Sequence, residues 1–136
     1  MPTLPAADAI RYPFGETTPT LGESTELAPG LRWLRMGLPF ALNHINLWLL
    51  EDTLDGVRGW TIVDCGIDSP PTRAAWEQVF ATQLGGLPVL RVVVTHMHPD
   101  HVGLAHWLTA RWNCLLWMSA TDYAVSCMAA RGCMTI

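Results

Sequence analysis

Residues 92–108 read VVVTHMHPDHVGLAHWL. The stretch opens as an unbroken β-branched run and then sets His96, His98, Asp100 and His101 within six positions, although the chain has five histidines in all. "VLRVVVT" up to Thr95 is the pattern of a strand covered on both faces. The four polar residues therefore fall in the loop at its carboxyl end, where ligand sites of α/β sheets are found. In an extended loop His96 and His98 point the same way and can chelate one metal ion. Pro99 keeps His98 extended and delays the helix. Asp100 and His101, at the turn into that helix, can face a second ion. Imidazole and carboxylate donors suit Zn²⁺, with iron or manganese as alternatives.

Working outward, "PDHVGLAHWLTARW" has helical spacing, with Leu104, Trp107 and Leu108 along one side. "CLLWM" follows as a buried strand. "SATD" at 119–122 is a capping box that starts a last helix, which makes Asp122 the cap partner of Ser119. Upstream, "DSPPTRAAWEQVFATQLGG" carries a cap at Ser69, prolines in the first turn, an apolar stripe through Trp76, Val79, Phe80 and Leu84, and a Gly85-Gly86 stop. "FALNHINLWLLED" alternates as a strand with Ile45, Leu47 and Leu49 on one face and His44, Asn46 and Trp48 on the other. Asp55-Gly56 turns it into "WTIVDCG". "ELAPGLRWLRM" offers two further strand pieces around a Pro-Gly turn, and residues 1–24 read as an extended leader. Antiparallel strands followed by strand–helix alternation predict a mixed sheet with helices on one side.

The totals bound the partners. With 136 residues the chain is one domain at most, and its net charge of −4 with no basic cluster gives nucleic acid or an anionic membrane no electrostatic footing. There is no secretory signal and no apolar segment long enough to span a bilayer, so a cytoplasmic location is expected. Cys65, Cys114, Cys127 and Cys133 lack metal-finger spacing and read as reduced residues. Half the residues are hydrophobic, seven are tryptophan and 15% are charged, against about 25% in an ordinary soluble domain. A small domain with so little polar surface is expected to bury an apolar face against something else.

The motif THMHPDHVG resembles the HxHxDH signature of the metallo-β-lactamase superfamily, and the order "HINLWLLED", "GWTIVDCG", helix, "VLRVVVTH" is similar to the way that family opens. The resemblance covers about residues 25–130. It implies the first half of an αββα sandwich and a metal-dependent hydrolase acting on a small-molecule ester, thioester, lactone, lactam or phosphodiester. It further implies that His96 and His98 bind a first zinc and that Asp100 and His101 bind a second. Asp100 would also accept or relay a proton. Asp64 would act from behind the ligands through hydrogen bonds, its alternative being a plain Asx-turn before Gly66. The family takes further ligands from the second half of its domain, and neither His106 nor Asp122 falls in a matching motif. His106 reads as a surface or helix-packing residue, and His44 as a candidate for the mouth of the site. The expectation is therefore an N-terminal portion, inactive alone, whose apolar face needs the missing half-domain or a second chain. The alternative is a non-catalytic, metal-binding or oligomerising half-domain.

Overall fold

The computed structural model describes residues 10–132. Ten elements follow in order: β1 (Thr25–Ala28), β2 (Leu31–Gly37), β3 (His44–Leu54), β4 (Val57–Val63), α1 (Pro70–Thr82), β5 (Val89–Val93), α2 (Pro99–Val102), α3 (Ala105–Trp112), β6 (Leu115–Trp117) and α4 (Ala120–Ala130). The strands form one sheet in the order β1-β2-β3-β4-β5-β6. β1 to β4 are antiparallel neighbours, and β5 and β6 join in parallel. Tight turns suffice for the first part, whereas each parallel addition needs a crossover helix. α1 provides the first crossover and α2–α3 the second.

Local chemistry explains the boundaries. Asp55 and Gly56 both have positive φ, 50° and 78°, the geometry a two-residue hairpin turn requires. The Ser69 side chain accepts the Thr72 N–H at the start of α1, with prolines at the first positions where no amide is needed. Ser119 caps α4 in the same way through the Asp122 N–H.

Two rows of side chains show how the sheet is used. On one face Leu49, Ile62, Val92 and Leu116 stand side by side across β3 to β6. The first three are fully buried, together with Trp76 and Val79 of α1 and Leu104 and Leu108 beside and within α3. On the opposite face Trp33, Trp48, Val63, Val93 and Trp117 form a row across five strands. That row stays accessible: Trp117 is 49% exposed, and the others are half-buried.

The mixed sheet with helices packed on one face is as expected, but two local readings need correction. β6 is not a buried strand. It is the sheet edge, and Leu115, 73% exposed, lies on the accessible face. β5 is likewise sealed on the helix side by Val92 and half-open on the other, where Arg91 and Val93 lie. The second correction concerns residues 99–112, which form two helices, not one. At the break a Cβ on Gly103 would stand 2.4 Å from Pro99 O and 2.9 Å from Gly66 O. The bend lets the Leu104 N–H reach Gly66 O at 3.3 Å. A tertiary clamp overrides the helical period here. No helix among the described residues is long and apolar enough to cross a membrane. Cys133 and residues 1–9 of the leader lie outside the described residues.

Candidate metal centre

Two loops build the site, one after β4 and one after β5, and three backbone bonds hold them together. Asp64 N–H donates to Val93 O at 2.8 Å, Cys65 N–H to His101 O at 2.8 Å, and Leu104 N–H to Gly66 O. The Trp76 indole N–H donates to Cys65 O at 2.7 Å, so α1 braces the same loop from below. The Asp-Cys-Gly triplet thus receives the whole 93–104 segment.

Asp64 stands at the centre. It is 4% exposed and adopts a left-handed φ of 63°, which Asp tolerates better than most residues. That turn aims its carboxylate at the second loop. Oδ1 accepts the Thr95 N–H at 2.8 Å, and Oδ2 accepts the Thr95 hydroxyl at 2.8 Å. Oδ2 also lies 2.8 Å from His101 Nδ1. A carboxylate is acceptor-only, so His101 Nδ1 is the donor in this contact, and in the neutral ring Nε2 keeps its lone pair.

The same constraint extends to His96. Its Nδ1 is 2.9 Å from Thr95 Oγ1. The single hydroxyl proton of Thr95 goes to Asp64, so His96 Nδ1 must be the donor in that contact. One buried carboxylate therefore sets the tautomer of two imidazoles, one directly and one through Thr95. Sequence reasoning does not single out Thr95; a hydroxyl residue directly before the first histidine is the signal.

The three rings cluster. The His96 and His101 centroids are 3.9 Å apart, and the His98 ring stands edge-on to His96 at 4.9 Å. His98 is extended, with ψ of 146° before Pro99, and α2 starts at that proline. Asp100 follows in the first turn, where the helix N-terminus favours a carboxylate, and its Oδ2 is 3.6 Å from His101 Nε2. His96, His98, Asp100, His101 and Asp64 thus come together. His106 is exposed on α3, 3.6 Å from Asp68, and His44 bonds Asn43 at the start of β3. Burial, followed by the neighbouring Asp64 charge, pushes the Cys65 thiol well above its usual range, so it is an inert packing group.

The donors fit a metal in kind. Imidazoles that give Nδ1–H to a carboxylate or hydroxyl and keep Nε2 free are the form in which histidine ligates. They fall short in number: among the described residues no three His, Cys, Asp or Glu side chains are arranged to hold one ion.

Residues 42–134 match the model of the metallo-beta-lactamase superfamily. No curated protein matches. A beta-lactamase domain protein from Burkholderia ambifaria is 58% identical, with a TM-score of 0.86 over 88% of this chain and 37% of that one. A metallo-beta-lactamase family protein from Thermus thermophilus is 29% identical, with a TM-score of 0.60 over 73% and 32%. The metallo-beta-lactamase FIM-1 from Pseudomonas aeruginosa, in a mono-zinc form, shares the fold at 20% identity, with a TM-score of 0.54 over 82% and 46%. The chain thus spans about a third of the length of the first two structures. With the family model matched over more than half of its residues, the chain belongs to the metallo-beta-lactamase superfamily.

Proposed function

We propose that this chain supplies the first part of the metal centre of a metal-dependent hydrolase. The observation that carries the reading is the Asp64 hydrogen bond to His101 Nδ1, joined to the Thr95 contact that prepares His96. His96 and His98 would hold a first zinc ion, and Asp100 and His101 a second, with iron or manganese as substitutes. Zinc bound there would lower the pKa of water to about 7 and polarise a carbonyl or phosphoryl oxygen. Asp100 would also accept or relay a proton, besides binding metal. Asp64 keeps the imidazole tautomers fixed, so neither ring has to reorganise during the reaction. The substrate is a small molecule with an ester, thioester, lactone, lactam or phosphodiester bond.

The accessible row Trp33, Trp48, Val63, Val93 and Trp117 supports a further part of the reading. A contiguous apolar face of this kind marks a surface meant to be covered. We assign the cover to the remainder of the αββα sandwich, which would also bring the remaining metal ligands. Turnover then belongs to the protein with both halves, and the 136 residues alone bind metal without hydrolysis. The free thiols of Cys65, Cys114 and Cys127 support a reducing, cytoplasmic setting.

The test is a hydrolysis panel on the zinc-loaded chain, covering each of the bond types named above, beside its zinc content. Metal retention without turnover is expected. The same result in a stable oligomer would favour the alternative, a non-catalytic, oligomerising half-domain, and turnover by the chain itself would contradict the assignment of hydrolysis to both halves. Turnover that survives His98→Ala and chelator would overturn the metal assignment.

A further inference from the structure

Asp122 enters the sequence reading as a helix-cap partner, yet its carboxylate does something else as well. In a capping box the third residue reaches back to the backbone N–H of the cap. Here Asp122 Oδ2 contacts the Ser119 hydroxyl, and Oδ1 accepts the N–H of Met97 at 3.1 Å, across 25 positions of sequence. Met97 lies between His96 and His98. On the other side of His96, the Thr95 N–H goes to Asp64 Oδ1 at 2.8 Å. The Thr95 and Met97 N–H groups, one on each side of His96, are therefore each taken by a carboxylate from a different element. β6 makes this reach available, since the Val94 N–H donates to Trp117 O at 2.9 Å and so brings the start of α4 beside the loop. α4 itself has no fully buried residue. The Asp122 bond is thus a specific polar tie in an otherwise loosely seated helix.

We propose that Asp122 is a positioning residue for the candidate metal centre, fixing through the Met97 peptide the angle at which His96 and His98 are presented. The inference rests on the metal reading above and extends it to α4. Two carboxylates hold the loop, Asp64 from the β4 side and Asp122 from the β6 side. Loss of the second leaves the peptide between His96 and His98 free to rotate, and the 4.9 Å edge-on relation of the two rings goes with it.

The experiment is a cobalt(II) titration of the 136-residue chain and three variants. The visible ligand-field band reports geometry, and the ¹⁵N–¹H signal of Met97 reports its hydrogen bond. Asp122→Ala is expected to weaken cobalt binding about 10- to 100-fold, the usual range for partners lying behind metal ligands, with a changed band and a shifted Met97 signal. Asp122→Asn keeps an oxygen for the Met97 N–H and is expected to restore both. Ser119→Ala removes the cap but leaves the Met97 acceptor, and is expected to bind cobalt as the parent does. Should Asp122→Ala fail to fold, Asp122→Ser, too short to reach Met97, takes its place. Equal weakening in Ser119→Ala and Asp122→Ala would reduce Asp122 to a capping role and overturn the inference. So would an unchanged affinity and band in Asp122→Ala, with the metal reading intact. A parent chain that binds no cobalt would overturn both.

Discussion

Asp64 Oδ2 and His101 Nδ1 lie 2.8 Å apart although 37 residues separate them in sequence. The contact joins the end of β4 to the helix after β5, and both loops of the candidate centre depend on it. Asp64→Ala would leave the Thr95 N–H and the His101 Nδ1–H without their acceptor in a part-buried place. A loss of about 1–3 kcal/mol in unfolding free energy is expected, the range for a polar group deprived of its partner. Asp64→Asn keeps the shape but presents an NH₂ to donors, so it should fold while binding zinc about 10- to 100-fold more weakly. Urea unfolding and zinc affinity, measured on both variants, separate the two effects.

Gly103 is the second point of dependence. A Cβ there would meet three backbone atoms, Pro99 O, Gly66 O and Asp68 N, at 3.0 Å or less. Backbone cannot swing aside as a side chain can, so Gly103→Ala should push α2 away from the Asp-Cys-Gly loop. The expected cost is about 1–3 kcal/mol, as for other overpacked sites. It would be read as a lowered urea midpoint with faster exchange of the Leu104 amide.

Much of this fold was legible in the chain. Alternation in β3, the Asp55-Gly56 turn, the Ser69 and Ser119 caps and the paired histidines are local patterns, and each is written within a few residues. The break at Gly103 was not legible, because the clamp that bends the chain comes from Gly66, far away in sequence. Nor was the exposure of Leu115: "CLLWM" is apolar enough for a core, but an edge position is set by sheet order. The site followed the same division. His96, His98, Asp100 and His101 announced themselves by spacing. The Thr95 and His101 partners of Asp64 and the Met97 partner of Asp122 lie far off in sequence and appear only in the folded chain.

The cysteines give a chemical check on burial. The raised Cys65 thiol, sealed beneath the Asp64 turn, should resist a thiol reagent in the native state. Cys127, half-exposed on α4, should react readily. Mass mapping after brief labelling at about pH 8, near the ordinary thiol pKa, should find Cys127 modified and Cys65 untouched until denaturant is added. Early labelling of Cys65 would contradict the packing of that loop.

A pH effect follows from the polar island on the accessible sheet face. Asp52 accepts the Thr61 hydroxyl at 2.6 Å and is paired with Arg91 at 2.5 Å. The Thr61 hydrogen bond, then that of Arg91, hold the Asp52 carboxyl below its ordinary value of 3.8. Its folded pKa is thus lower than its unfolded one, so its stabilisation is complete above about pH 4 and is lost as pH falls through the folded value. Asp52→Asn should be less stable than the parent at neutral pH, and the gap should close in acid. Urea midpoints at about pH 7 and about pH 3 check the sign.

The most direct test of the metal centre is zinc per chain after size-exclusion chromatography, for the parent protein and for His98→Ala side by side. Retained zinc of about one to two equivalents in the parent, reduced or lost in the variant, is the predicted result. Zinc content that is the same in both proteins, whether present or absent, would contradict the assignment of His96, His98, Asp100 and His101 to a metal site.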